Sequence, residues 1–304
     1  MDKFVNLHLH TDASLGDSVI QVPKLIEQLQ EYEQSYVAIT DHSTLVNHYA
    51  LQQACKGTDI KPIFGNEFYC KLDLEKPTNK TRYHLVCLAM NDIGLQNIRK
   101  MQRLAVANHF YYKPLLPHDI LFENSEGVFV STACSLSYIS QSFLNNQDDN
   151  AYTFFNQLLD TFGPDNVSLE LQYHPDYADQ ALINDKIIQM YDNTDAKYII
   201  NTFDSHVLLQ KDRILRKKIQ SINYKKPEDE INDTLKSNVL GTSALSYEFA
   251  HESGIDDDSL IQKCIDNTYE IAQKCHFNPK TYDRVIARFD KHKHFKEIFL
   301  KKVV

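Results

Sequence analysis

The chain has 304 residues and a formal charge of −9, with 42% hydrophobic and 24% charged residues, which is typical of a soluble globular protein. No stretch approaches the roughly 18 consecutive apolar residues of a membrane helix, and the start of the chain has no signal-peptide pattern. Six cysteines lack CxxC pairing and eight glycines build no GxGxxG motif or P-loop, which excludes a zinc ribbon and a mononucleotide fold and predicts a cytoplasmic setting.

Predicted strands and helices alternate along the chain. Apolar runs of strand length lie at 4–10, 36–40, 61–69, 83–89, 127–132, 166–171 and 197–203. Helical periodicity is found at 22–34, 92–108 and 176–192, and turn-forming residues predict a loop at 227–234. This alternation predicts an α/β fold with a mainly parallel sheet. Seven repeats suit a closed or nearly closed barrel, although the count alone also allows an open sheet.

The first predicted strand, FVNLHLH, carries two histidines on one face. Alternate side chains of a strand point the same way, so His8 and His10 should converge. Asp204 and His206, in FDSH, share a face in the same manner after the last strand. Further candidates lie near the ends of the other strands, namely Asp17, Asp41, His42, Glu67, His84 and Cys134. Sites in parallel α/β folds form at the carboxyl ends of strands, a placement from which only His84 departs.

The candidate ligands are of mixed chemistry. Imidazole, carboxylate and thiolate groups together favour zinc, manganese or iron over magnesium and calcium. About nine ligands are too many for one ion, so we expect two or three ions bridged by Glu67 or Asp204. Such a cluster lowers the pKa of bound water to about 7 and attracts phosphate, which predicts metal-assisted hydrolysis of phosphate esters.

The order of the motifs HLHTDASLGD, ITDH, GNEFY, HLVCLA, STACS and FDSH resembles the polymerase and histidinol phosphatase (PHP) family. More narrowly, it is similar to the PHP module of the bacterial DNA polymerase III alpha subunit, and FYYKP at 110–114 and NTYEIAQKC at 267–275 support this likeness. The resemblance implies a distorted (β/α)7 barrel, similar to a TIM barrel, over residues 1–278. A basic tail at 279–304 follows, which we expect to be helical.

The resemblance also implies three divalent ions, of zinc, manganese or iron. The ligand sets that it implies are His8, His10, Glu67 and Asp204 for the first ion, Glu67, His84 and Cys134 for the second, and Asp17, His42 and His206 for the third. The candidate catalytic residues are Asp41, His42 and His206, with Asp41 either orienting His42 or moving a proton. Two positions depart from the family pattern, because Ser43 replaces a glycine and Leu115 an arginine.

Two basic segments interrupt the acidic background. Residues 211–226 contain seven basic residues and one acidic residue, and residues 280–302 contain eight and three. Both could follow a phosphate backbone, so the leading hypothesis is a 3′→5′ exonuclease on DNA or RNA ends. Tyr111, Tyr112 and Tyr224 could stack on bases, although tyrosines more often pack.

Two alternative functions remain open. One is a phosphatase for a small phosphomonoester, similar to the histidinol phosphatases. The other is a non-catalytic scaffold that docks on a polymerase through the basic tail. Because only about 26 residues follow the module, we expect it to act alone or beside a separate polymerase chain.

Overall fold

The structure is a computed structural model that describes residues 2–71, 82–231 and 235–279. Its strands are β1 (Tyr36–Ile39), β2 (Lys61–Lys71), β3 (Tyr83–Ala89), β4 (Phe110–Tyr111), β5 (Lys113–Pro114), β6 (Leu116–Pro117), β7 (Val128–Ser131), β8 (Val167–Gln172) and β9 (Tyr198–Thr202). Its α-helices are α1 (Val22–Glu31), α2 (His48–Ala54), α3 (Asp92–Asn108), α4 (His118–Glu123), α5 (Tyr138–Leu144), α6 (Asp148–Phe162), α7 (Gln180–Asp192), α8 (Arg213–Tyr224), α9 (Ser243–Glu252) and α10 (Asp258–Cys275).

Seven of the described strands form one sheet. Its order is β1-β2-β3-β7-β8-β9, with β6 beside β2, while β4 and β5 form a separate hairpin. The pairs β1–β2, β2–β6, β7–β8 and β8–β9 are parallel, as predicted. Strand β3 is antiparallel to both β2 and β7. This reversal brings the amino end of β3, with His84, to the edge where its neighbours have their carboxyl ends.

The predicted first strand, residues 4–10, is not a continuous strand. It forms two isolated parallel bridges, from Asn6 to Val37 in β1 and from Leu9 to Ser205 just after β9. The amide of Thr40 donates to the carbonyl of Leu9 at 2.9 Å, and the amide of His10 donates to the carbonyl of Ser205 at 2.9 Å. The segment thus contacts two neighbouring parts of the sheet through single bridges and forms no continuous ladder with either. The α/β class is thus confirmed, whereas a complete (β/α)7 barrel stays a prediction.

Buried side chains form two clusters that hold the sheet in place. The larger joins the sheet to surrounding helices and includes Leu25 of α1, Ile98 of α3 and Phe155 of α6. The smaller joins the N-terminal segment and the strands to α10, through residues such as Leu7 and Ile271. Burial of these apolar surfaces, at about 25 cal/mol per Å², fixes the strand ends from which the candidate ligands project.

Several further predictions can be compared with the described residues. The predicted helices at 22–34, 92–108 and 176–192 correspond to α1, α3 and α7, the first and last being shorter than expected. All six cysteines are buried and free. No helix in the described part of the chain is long and apolar enough to cross a membrane. The tail predicted at 279–304 lies outside the described residues, apart from its first.

Candidate metal centre

Glu67 lies at the centre of the candidate site and contacts four imidazole rings. Its Oε1 is 3.1 Å from Nε2 of His8 and 2.9 Å from Nδ1 of His84. Its Oε2 is 2.6 Å from Nδ1 of His42 and 3.3 Å from Nε2 of His10. One buried carboxylate therefore joins four imidazoles that come from three separate parts of the chain.

The position of Glu67 within β2 differs from the prediction. We expected it to end its strand, but pairing with the antiparallel β3 extends β2 beyond it to Lys71. Glu67 instead lies opposite Val86 of β3 and forms a bridge with His42 on its other side. The site consequently reaches from the strand ends into the sheet, where Glu67 is fully buried.

Asp204 contacts both of the N-terminal histidines of the site. Its Oδ1 is 3.3 Å from Nε2 of His8 and 3.2 Å from Nε2 of His10. Asp204 has a φ of +46°, in the left-handed region, and two other residues beside the site share this conformation, Ser43 at +45° and Ala133 at +62°. Non-glycine residues adopt it at a cost and are enriched at functional sites. Glycine adopts a positive φ without steric cost, which explains why the family pattern has glycine at the position of Ser43.

Asp17 connects the two remaining histidines. Its Oδ2 is 3.0 Å from Nε2 of His206 and 3.2 Å from Nε2 of His42. On the opposite side, its Oδ1 is 2.8 Å from the guanidinium of Arg216 and accepts a hydrogen bond from Gln220 at 3.0 Å. Arg216 belongs to the basic segment at 211–226, but its side chain is buried against Asp17 and so is not part of a surface that could follow a phosphate backbone.

Cys134 and His84 form the third corner. The thiol sulfur is 3.3 Å from Nδ1 of His84 and 3.9 Å from Oε1 of Glu67. Burial, together with the charges of Glu67 and Asp204, raises the pKa of the Cys134 thiol well above its usual value. A thiolate at this position would require a cation beside it.

Hydrogen bonds behind the histidine rings determine which nitrogen faces the site. Nδ1 of His8 donates to Oε1 of Glu170 at 2.7 Å, and Nδ1 of His206 donates to the carbonyl of Asp204 at 2.6 Å. In both rings Nε2 is left to point at a carboxylate. A neutral imidazole in this tautomer presents a lone pair to a carboxylate oxygen, which is unfavourable unless a proton or a metal ion lies between them.

Asp41 orients His10 through a serine. Its two oxygens accept hydrogen bonds from the amide and hydroxyl of Thr11, both at 2.6 Å, and from the hydroxyl of Ser14 at 2.8 Å. The oxygen of Ser14 in turn accepts from Nδ1 of His10 at 3.1 Å. This network favours a positioning role for Asp41 over proton transfer. The catalytic roles of His42 and His206 stay predictions.

Carboxylates and imidazoles balance one another electrostatically. Burial raises the pKa of Glu67, but the charges of His84 and His42 outweigh it and hold this pKa well below its usual value. Burial lowers the pKa of His8, but Glu170 and Asp204 outweigh it and hold this pKa well above the ordinary one. The negative charge of the site is thus compensated by protons on imidazoles, which a divalent cation would displace.

The atoms that face one another fit a metal centre. Among the buried side-chain atoms of the described residues that have no hydrogen-bond partner, five belong to predicted ligands and face one another: Nε2 of His8, Nε2 of His10, Nδ1 of His42, Oε2 of Glu67 and Oδ1 of Asp204. Buried polar atoms without partners are rare, since each costs about 1–3 kcal/mol. Their types suit zinc, manganese or iron.

Among the residues that the structure describes, three groups of side chains offer ligand atoms that lie within 4.8 Å of one another. They are His8, His10 and Asp204; His42, Glu67 and His84; and His10, His42 and His206. The first two overlap the predicted first and second sets, and the third overlaps the predicted third set with His10 in place of Asp17. These groups contain seven of the nine predicted ligands, and the contacts of Asp17 with His42 and His206 and of Cys134 with His84 place the other two beside them. The division of the ligands among ions stays a prediction.

Glu170 is a residue that the sequence analysis did not identify. Besides His8, its carboxylate accepts hydrogen bonds from Ser131 at 2.7 Å and Thr202 at 2.5 Å. A carboxylate that is itself held by hydrogen bonds and that accepts from a metal-binding histidine fixes the orientation of the ring and increases its basicity. The sequence feature that could have identified Glu170 is its place as an acidic residue inside the apolar run NVSLEL.

We expect Glu170→Gln to weaken metal binding about 10- to 100-fold, because the amide cannot hold the His8 ring as a carboxylate does. Competition of the variant with a chelating dye for manganese or zinc measures the effect. Glu248→Gln, at an exposed position in α9, is the matched control. Equal affinity of the two variants would show that Glu170 does not support the site.

The site opens into a cavity of about 840 Å³. Among the residues that line it are the candidate ligands Asp17, His42, His84, Cys134, Asp204 and His206. Its mouth carries apolar side chains with large exposed fractions, such as Leu15 at 82% and Val46 at 73%. Such a cavity is of the size that small-molecule ligands occupy, with polar groups at its base.

The chain is similar to known proteins over most of its length. The family model for the PHP domain matches residues 6–174, more than half of the chain. DNA polymerase III subunit alpha of Aquifex aeolicus is 32% identical over 239 residues, covering 75% of this chain and 20% of that protein. The Borreliella burgdorferi subunit of the same name is 28% identical over 279 residues, covering 90% of this chain and 24% of that protein.

A solved structure from Bifidobacterium adolescentis, provisionally described as a metal-dependent phosphoesterase, has 14% sequence identity and a TM-score of 0.45, covering 66% of this chain and 87% of that one. The chain spans only about a fifth to a quarter of the curated polymerase subunits that it matches. The matched family model and the similarity over most of this chain lead to one conclusion: the chain belongs to the PHP family.

Proposed function

We propose that the chain is a divalent-metal-dependent phosphoesterase that acts as a 3′→5′ exonuclease on DNA or RNA ends. The observation that carries this proposal is the set of five buried ligand atoms without hydrogen-bond partners that face one another beside an open cavity, which His42 and Asp204 line. Membership of the PHP family and the likeness to polymerase subunits support a nucleic-acid substrate.

The proposed centre holds three ions of zinc, manganese or iron. The ligands would be His8, His10, Asp17, His42, Glu67, His84, Cys134, Asp204 and His206. Bound ions would neutralise phosphate charge and supply a water that is acidic enough to attack at neutral pH. Hydrolysis would add water across the terminal P–O3′ bond, which releases a nucleoside 5′-monophosphate and leaves a new 3′-hydroxyl on the strand.

The chain's own residues would orient the substrate around this centre. The ring of Tyr69 stacks on His42 with 5.3 Å between centroids, and Nζ of Lys113 lies 5.6 Å from the Tyr69 ring. Lys113 lines the cavity, so its ammonium would pair with a phosphate of the bound strand. Burial and the charge of Arg216 lower the pKa of His206, which favours the neutral form that a ligand requires.

The proposed module comprises residues 1–278, because α10 packs against the sheet and ends at Cys275. The basic segment at 279–304 would be an addition to this module.

Incubation of metal-loaded protein with 5′-labelled oligonucleotides tests the proposed function. We expect a ladder of strands shortened from the 3′ end with at least one of manganese, zinc and iron. If the protein released phosphate from small monoesters and left the oligonucleotides intact, the chain would instead be assigned to the phosphatases. Absence of both reactions with all three metals would contradict the enzymatic proposal and support a scaffold.

A further inference from the structure

The hairpin formed by β4 and β5 exposes three consecutive aromatic side chains. The exposed fractions are 62% for Phe110, 38% for Tyr111 and 76% for Tyr112. Such a group of exposed rings is unusual, because aromatic side chains normally bury their large apolar surface. The next residue, Lys113, lines the cavity of the candidate metal centre.

The register of the hairpin determines which rings lie near the cavity. Tyr111 pairs with Lys113, and Phe110 pairs with Pro114. Residues directly opposite each other in an antiparallel pair project from the same face. Tyr111 therefore lies on the face of Lys113, next to the cavity, and its ring contacts Tyr112 edge to face at 4.8 Å.

The backbone holds Tyr112 in an unfavourable conformation. Its φ is +58°, in the left-handed region that favours glycine. The hairpin is also held by the residue just before β3, since the guanidinium of Arg82 donates to the carbonyl of Tyr111 at 3.2 Å. A large aromatic residue at a position better suited to glycine indicates that the ring has a use.

We propose that Tyr111 and Tyr112 form a stacking platform for unpaired bases near the 3′ end of a single strand. This inference rests on the proposed function and adds the substrate class, single-stranded ends. Exposed tyrosines beside a lysine are the arrangement that binds single strands, because rings stack on bases while the ammonium pairs with phosphate. The platform would hold the bases while the terminal phosphodiester reaches the metal centre past Lys113.

A nucleic-acid strand fits the hairpin better than a protein partner does. The rings are continuous with the cavity through Lys113, whose ammonium lies above Tyr69, itself stacked on His42. Because Lys113 of this hairpin lines the cavity, a strand whose terminal phosphate lies there has a path out across the hairpin. A protein surface would have no such reason to adjoin the site.

Replacement of Tyr112 by glycine separates stacking from folding. Glycine removes the ring and suits the positive φ, so the melting temperature should stay the same or rise. Tyr112→Phe keeps a ring and is the rescue variant. Ile93→Ala is the matched surface control, because this side chain is 46% exposed at the start of α3, at the opposite end of β3 from His84.

Binding is measured with an oligothymidylate that carries 2-aminopurine near its 3′ end. The wild-type chain and Tyr112→Phe should quench the fluorescence, and Tyr112→Gly should bind about tenfold more weakly, within the range for one lost base stack. The same strand with abasic sites in its last four positions should bind the wild type and Tyr112→Gly equally, because no base is left to stack. Ile93→Ala should match the wild type on both strands.

Equal quenching and affinity in the wild type and Tyr112→Gly would overturn this proposal, and would leave the rings as a surface for a protein partner. Equal losses on the normal and the abasic strand would also overturn it, since the ring would then act on the backbone rather than on bases. Both outcomes concern binding alone. They are therefore distinguishable from failure of the proposed function, which the absence of shortened strands would reveal.

Discussion

Asp204→Asn is expected to remove bound metal and to lower hydrolysis more than about 100-fold. Changes behind a metal ligand typically cost about 10- to 100-fold in affinity, and loss of a charged ligand should cost more. The Asp204 carboxylate, whose Oδ1 faces both His8 and His10, would be replaced by a neutral amide of the same size. Asparagine tolerates the positive φ at this position, so the fold should persist.

Metal analysis after dialysis, together with the rate of oligonucleotide shortening, measures this effect. Asp149→Asn, at an exposed position in α6, makes the same chemical change away from the site and should match the wild type. An Asp204→Asn variant that kept full metal content and full activity would contradict the assignment of Asp204 as a ligand.

Arg216→Met is expected to destabilise the protein by about 3 kcal/mol in the absence of metal. The Arg216 guanidinium donates to the carboxylate of Asp17 at 2.8 Å and to the backbone carbonyl of Asp17 at 3.0 Å. It also donates to the side chain of Asn238 at 2.9 Å. Removal of one partner from a buried ion pair costs about 3–5 kcal/mol, and His42, whose pKa is raised, still compensates part of the Asp17 charge here. We therefore expect the lower end of that range.

Urea denaturation of metal-free protein gives the free energy of unfolding. Lys218→Met, two residues later on the exposed face of α8, is the control and should change it by less than about 0.5 kcal/mol. If both variants lost the same free energy, Arg216 would be an ordinary surface cation and the described contact with Asp17 would not matter. A third ion coordinated by Asp17 should also bind more weakly to Arg216→Met.

Much of the candidate site follows from local sequence rules. The two-residue period of extended chain predicted that His8 and His10 face the same way, and both do face Glu67 and Asp204. The rule held although residues 4–10 make isolated bridges rather than a strand, because an extended backbone suffices. The types of side chain near the strand ends then predicted the chemistry of the site.

Other features depend on contacts that local spacing does not encode. Glu170 reaches His8 across 162 residues, and Arg216 reaches Asp17 across 199. In the sequence, Arg216 is one cation in a basic segment, and only the packing of α8 shows that it turns inward. The direction of β3 was equally hidden, because hydrophobic alternation is the same in parallel and antiparallel strands. That direction is what brings His84 to its partners.

Anomalous diffraction from crystals grown with manganese or zinc tests the central claim most directly. The claim is that side chains from distant parts of the chain bind several divalent cations in one pocket. We predict separate anomalous peaks among His8, His10 and Asp204, among His42, Glu67 and His84, and beside His206 and Asp17. A map with no peak in this pocket, from protein saturated with either metal, would contradict the account.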